Sequence, residues 1–168
     1  MISIEYAQAM ASYSREMNLR LYACSATLTD EQRKRDVGAF FKSIHGTLNH
    51  LLLGDRVWMG RFVGTPYAVQ SLGQELYGDF SELRSEREHT DAEIALWVGH
   101  LTPEMLASEL VYSSISNPAQ RRMPLWYVVT HFFNHGTHHR GQVTALLKQF
   151  GVDPGVTDLI AFPLTGRH

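Results

Sequence analysis

Nine histidines are spread through this chain, and four of them crowd into His131-Phe132-Phe133-Asn134-His135-Gly136-Thr137-His138-His139-Arg140-Gly141-Gln142. An imidazole can ligate a metal, carry a proton or serve as an ordinary hydrogen-bonding group. Spacing separates these uses. Projected at about 100° per residue, residues 124–150 gather Leu125, Val128, Val129, Phe132, Val143, Leu146, Leu147 and Phe150 on one broad helical face. His135 and His139 fall in the middle of that face. His131 and His138 fall on its edge, and Arg140 points off the core, towards an interface or solvent. A polar group buried without a partner costs roughly 1–3 kcal/mol. Two rings one turn apart can reach a single metal ion, which would satisfy a nitrogen on each. Core histidines bonded to backbone or water are the alternative, but an i, i+4 pair amid apolar residues favours metal.

Two histidines hold a metal poorly alone, so a third ligand must come from elsewhere. His45, His50, His89, His100, His131 and His138 are the candidates. His50 is the best placed, mid-helix in Leu48-Asn49-His50-Leu51-Leu52-Leu53 beside residues that should face the core. Three neutral imidazoles would leave positive charge on the ion and a position open, as in catalytic rather than structural zinc sites. A water or thiol placed there would be acidified. Zinc proteases carry a glutamate directly after the first histidine of the pair. Gly136 stands there instead, which excludes that class. Gln142 lies one turn after His139 and is suited either to orient a ligand histidine, since ligating histidines usually donate their second nitrogen to a partner, or to bind substrate. Asp55 projects into the apolar face of the His50 helix and is a further second-layer or substrate candidate. Gly136 faces the core, where glycine costs about 0.8–1.0 kcal/mol against alanine. Close approach of a neighbouring helix or ligand would justify it.

The elements that must position these groups read as helices. Residues 4–26 carry a long apolar periodicity without proline or glycine. Thr29-Asp30-Glu31-Gln32 has the form of a capping box opening a short piece. Residues 43–63 form a second long helix ended by Gly64-Thr65-Pro66. Residues 67–78 read as a loop long enough to cover something. Asp79-Phe80-Ser81-Glu82 opens a third long helix reaching about His100, apolar through Leu83, Ile94, Leu96, Trp97, Val98 and Leu101. Its charged middle (Glu82, Arg84, Glu86, Arg87, Glu88, His89) is expected to be solvated. Thr102-Pro103-Glu104 starts a short turn. Leu110-Val111-Tyr112-Ser113-Ser114-Ile115 has strand character, and Asn117-Pro118 signals a turn, so a small hairpin is expected before the histidine helix. Gly151 should cap that helix. The tail, through Asp158-Leu159-Ile160-Ala161-Phe162-Pro163, is apolar enough to pack on the body. Four long amphipathic helices make an all-α four-helix bundle, an architecture that builds sites from facing helices.

Composition narrows the function. The 168 residues suit one domain spanning 1–168, with 44% hydrophobic and 19% charged residues. A formal charge of −2 and the lack of a basic run give no case for nucleic acid. The single cysteine, Cys24, excludes an internal disulfide and reads as a small core residue. No 18-residue apolar stretch suggests a membrane span, and the first thirty residues hold no signal-type apolar block. The cytoplasm is the expected compartment.

The segment Asn134-His135-Gly136-Thr137-His138-His139-Arg140-Gly141-Gln142 resembles the C-terminal helix motif of the DinB family. These are DinB/YfiT-like metal-dependent bundle proteins, unrelated to the DNA polymerase that shares the name. Leu48-Asn49-His50-Leu51 with Trp58 downstream resembles the family's second-helix motif, and Asp158-Leu159-Ile160-Ala161-Phe162 its closing segment. The resemblance spans essentially the whole chain. It implies a metal triad on His50, His135 and His139, a divalent ion, often zinc or nickel, and a homodimer. Characterised relatives include transferases and isomerases using low-molecular-weight thiols, while many members have no assigned reaction. Two classes of function follow: a metal-dependent transferase or hydrolase acting through an activated thiol or water, and a non-catalytic, stress-associated metal-binding bundle. A bundle without metal is the third and weakest.

Overall fold

The computed structural model describes residues 1–114 and 117–162. Its body is four long helices: α1 (Ile4–Ala26), α3 (Ile44–Phe62), α4 (Phe80–Gly99) and α6 (Leu125–Gln149). Between them lie the short α2 (Asp30–Lys34) and α5 (Pro103–Ala107), and the strands β1 (Glu109–Ser114) and β2 (Asn117–Pro124). A single 3-10 turn, Leu159–Ala161, follows α6. α1 and α3 each pack against both α4 and α6. Every long helix therefore buries two flanks, and the interior is closed by residues such as Met17, Leu21, Leu52, Leu83, Val129, Phe133 and Leu147. The result is a four-helix bundle with a two-stranded hairpin set before its last helix. Among the described residues no helix is long and apolar enough to cross a membrane.

The helix ends follow their local chemistry. Ser3, Ser43, Asp79 and Thr102 each accept a backbone N–H at a helix start, and Thr29 and Gln32 complete the expected capping box. Gly151 takes φ +75° just past α6, the left-handed conformation that ends helices and favours glycine. The hairpin is antiparallel, pairing Tyr112 with Arg121 and Ser114 with Asn117. Asn117-Pro118 thus begins β2 rather than forming the turn; Ile115 lies outside the described residues, as does Pro163 of the tail. The tail packs as expected. The Tyr13 hydroxyl donates to the Thr157 carbonyl at 2.6 Å, and Phe162 meets the Tyr13 ring edge-on at 5.2 Å.

Two charged residues are not where periodicity put them. Arg87, expected on a solvated face of α4, is 2% exposed; Arg140, expected off the core of α6, is 4% exposed. Arg87 Nη1 donates to Asp55 Oδ2 at 2.6 Å, and its Nη2 lies 2.9 Å from Asp91 Oδ1. Asn18 of α1 donates to the same Asp91 at 2.9 Å. Arg140 donates to Ser14 of α1 and to Thr137, each at 3.1 Å. All four long helices thus contribute polar groups to one buried layer. Asp91 and Thr137 are one turn away on the same helices, but Asp55, Asn18 and Ser14 sit on other helices, so a single helix's pattern does not reveal the layer. Leu96, expected to supply apolar packing, is instead exposed.

Candidate metal centre

His50 enters from α3, and His135 and His139 from α6, two helices packed against each other. One nitrogen from each ring lies within 4.8 Å of the others, a group able to hold a metal ion. His139 Nε2 is 3.2 Å from His50 Nε2 and 3.1 Å from His135 Nε2. Nitrogens bound tetrahedrally at about 2.0–2.1 Å from zinc would be roughly 3.3 Å apart. The spacing of the rings already matches that edge.

Their hydrogen bonds explain why the rings would face a cation. His50 Nδ1 lies 2.9 Å from the Leu72 carbonyl, which can only accept, so that nitrogen carries the proton. His139 Nδ1 donates in the same way to Gln142 Oε1 at 2.8 Å. In both neutral rings Nε2 is then left with a lone pair, and the two lone pairs confront each other. A divalent ion turns that repulsion into two bonds, with each Nδ1–H held by the partner that ligating histidines usually have. Burial is the main reason all three imidazoles resist protonation. It pushes His135 down to about 3, assisted by the neighbouring His139 and His50, and it lowers His50 and His139 as well. Neutral imidazole is the ligating form.

Backbone and small residues set these positions. Asn49 Oδ1 accepts the Leu76 and Tyr77 N–H groups at 2.9 and 3.0 Å, and its Nδ2 donates to the Tyr77 carbonyl at 3.1 Å. His45 Nε2 donates to that carbonyl at 2.9 Å. Two residues of α3 thereby pin the loop of residues 67–78, whose Leu72 carbonyl orients His50. The loop does cover something: the candidate ligand itself. Phe41 stacks on His50 with ring centroids 3.8 Å apart and meets His139 edge-on at 5.6 Å.

Gly46 and Gly54 stand one turn to either side of His50. A Cβ at Gly46 would lie 2.2 Å from the Phe41 carbonyl oxygen, and one at Gly54 would lie 3.0 Å from His135 Cε1. Both glycines are the room in which the site is assembled. Sequence reasoning named neither, nor Asn49 or Phe41, as site residues. The available signal was two glycines at i−4 and i+4 of the candidate ligand inside an apolar helix, each costing about 1 kcal/mol of helix propensity.

The remaining candidates separate cleanly. His45 serves the loop, His89 is exposed and 3.4 Å from Glu93, and His100 bonds the Leu96 carbonyl. His138 is exposed and 3.3 Å from Gln142 Nε2. His131 does not join the cluster; its ring centroid is 5.9 Å from that of His135, and it lines a cavity beside it. Gln142 stands where expected, on His139. Asp55 is buried and its carboxylate is engaged by Arg87 rather than by a candidate ligand. The atoms nearest a Cβ at Gly136 belong to its own helix's Arg140, whose Nη1 would be 3.0 Å away. Cys24 is only partly buried on α1, away from this site.

A cavity of about 360 Å³ opens from His50 and His135. Its wall includes Trp58, Tyr112, Tyr127, Val128, His131 and Arg61, and among the described residues no carboxylate. α3 and α6 build one side of it and the hairpin the other, which gives the strands a role in the site.

Comparison with known proteins agrees with this architecture. Protein DinB of Bacillus subtilis (strain 168) is 26% identical over 160 residues, covering 92% of this chain and 91% of that protein. YfiT from Bacillus subtilis, described as a probable metal-dependent hydrolase with an unusual four-helix bundle topology, superposes with a TM-score of 0.67 at 16% identity. The match covers 91% of this chain and 92% of YfiT. A DinB-like protein from Bacillus cereus ATCC 10987 superposes with a TM-score of 0.63 at 19% identity, over 86% and 91% of the two chains. At these identities the structures speak to fold alone. The sequence itself matches the DinB family over residues 3–165, and with a match of that extent this chain belongs to the DinB family.

Proposed function

We propose that this protein is a metal-dependent enzyme in which His50, His135 and His139 hold a divalent ion, zinc or nickel, and a small molecule reacts in the adjoining cavity. The observation that carries the reading is the confrontation of the His50 and His139 Nε2 lone pairs at 3.2 Å beside an open cavity of about 360 Å³. A bound ion would supply Lewis acidity there, making a thiol or water nucleophilic at neutral pH. The chain's own groups do the rest. Leu72 and Gln142 keep two rings in the ligating tautomer. Trp58, Tyr112 and Val128 make the wall largely apolar. His131 is the proton acceptor, because among the described residues no carboxylate lines this cavity; partial desolvation and then Arg61 beside it lower the imidazole's affinity for a proton. The reaction classes that fit are transfer of a low-molecular-weight thiol to an electrophile, and hydrolysis.

One observation favours a second reading. The ligands come from two helices, so an ion would also tie α3 to α6 without any chemistry. Elemental analysis of protein purified without chelators tests the site: one equivalent of divalent metal is expected, and its loss in His135→Ala and His139→Ala. Full metal content in both variants would remove the ligand assignment. Turnover of an electrophile with glutathione-, bacillithiol- or mycothiol-type thiols then separates enzyme from clamp, since a clamp would stabilise the fold and convert nothing.

A further inference from the structure

The cavity beside the three histidines has a second end. Its α3 wall is the stripe His50, Gly54, Val57, Trp58 and Arg61, one face of the helix over three turns. At 1.5 Å per residue, His50 and Arg61 are about 16 Å apart along the axis. The wall therefore runs along α3, with the candidate ligands at one end and the Arg61 guanidinium folded over Trp58 towards the other. Between them lie Val57, Trp58, Met123, Tyr127 and Val128, which are apolar or aromatic, with His131 the one imidazole among them.

Arg61 is built in rather than trailing in solvent. Its guanidinium carbon lies 4.4 Å from the Trp58 ring centroid and 4.9 Å from that of Tyr112, so two aromatic faces hold the plane. Nη2 donates to the Ser113 carbonyl at 3.1 Å. That engages one of its five N–H donors. Among the described residues no carboxylate pairs with it, and burial disfavours its charged form without an acid to compensate. Arg121, paired across the hairpin with Tyr112, adds a second positive charge to the same wall. A cavity with two arginines and, among the described residues, no acid, in a chain of net charge −2, is complementary to an anion. The planar guanidinium fork fits a carboxylate through two parallel hydrogen bonds.

We infer that Arg61 is the specificity determinant for an elongated substrate with an apolar middle, whose terminal carboxylate it binds while the opposite end reaches the three histidines. This rests on the metal-site reading only for what happens at the histidine end; the carboxylate end stands without it. The experiment therefore has two arms. In the first, metal-free protein is titrated with octanoate and with octanol, following Trp fluorescence and calorimetry. Octanoate should bind about tenfold more tightly or better, the discrimination expected of a charge-assisted pair. Arg61→Gln, which keeps a planar group over Trp58, should reduce the two to parity, and Arg61→Lys should fall between. In the second arm, protein loaded with zinc is titrated with ω-mercaptooctanoate, ω-mercaptooctanol and the short mercaptopropionate. Only the long acid should gain from both ends at once, and Arg61→Gln should abolish its advantage over the alcohol while leaving zinc content at the wild-type level. Equal binding of acid and alcohol to the wild type, or an acid preference that survives Arg61→Gln, would overturn the assignment. Failure to load zinc with the octanoate preference intact would instead remove the metal reading and leave Arg61 standing.

Discussion

The two glycines of α3 show how much a missing side chain can decide. Gly54 is one turn from His50 and backs onto His135, whose ring would be 3.0 Å from a Cβ. Gly54→Ala has two opposed effects. It improves helix propensity by about 1 kcal/mol, and it pushes His135 by a few tenths of an ångström at the least. Ion binding depends on the second quantity. The metal-free variant should unfold at a denaturant midpoint close to the wild type, while its metal affinity falls on the order of tenfold, the low end of what disturbed outer contacts cost. Competition with a chromophoric chelator measures it. Unchanged affinity would mean that the ring is not a ligand or that it repositions without strain.

Among the elements, α4 was the hardest to read and α6 the easiest. The apolar face of α6 and the inward aim of its histidine pair follow from a 3.6-residue period, because burial there is a property of one helix. Arg87 and Arg140 defeat that logic. Asp91 is one turn from Arg87 on α4 itself, but their burial also depends on Asp55, Asn18 and Ser14 on other helices, and no spacing within α4 or α6 encodes those partners. The hairpin was legible from β-branched and aromatic content, but its service to the cavity was not, since that depends on where the bundle places its faces. The buried layer has a consequence for stability. Removing Arg87 alone leaves Asp55 and Asp91 in the interior without their counter-ion, and breaking such a pair costs about 3–5 kcal/mol. Arg87→Met should lower the free energy of unfolding by that amount at neutral pH in urea titrations. A loss below about 1 kcal/mol would show that the layer is solvated.

For the molecule as a whole, protons oppose the fold. Burial lowers His45, His50, His131, His135 and His139, with His135 near 3. An unfolded histidine takes up a proton below about 6.5; these folded ones do so only at lower pH. Stability present at neutral pH is therefore lost as pH falls through 6.5 towards the folded values. Asp91 acts in the other sense. Burial, opposed by Arg87, raises it to about 6, so it binds a proton in the folded state first and favours the fold between 6 and the ordinary carboxylate range. Five groups against one decide the sign. The melting temperature of the metal-free protein should drop steadily from pH 7.5 to pH 5, and a flat or rising profile would contradict the burial of these rings.

The Leu72 carbonyl on His50 gives the loop of residues 67–78 authority over the orientation of a candidate ligand. A ring whose far nitrogen is held by a covering segment cannot turn until that segment lifts. Any reorientation of that ring therefore starts in a dozen backbone residues outside the bundle, not in the packing of α3 on α6.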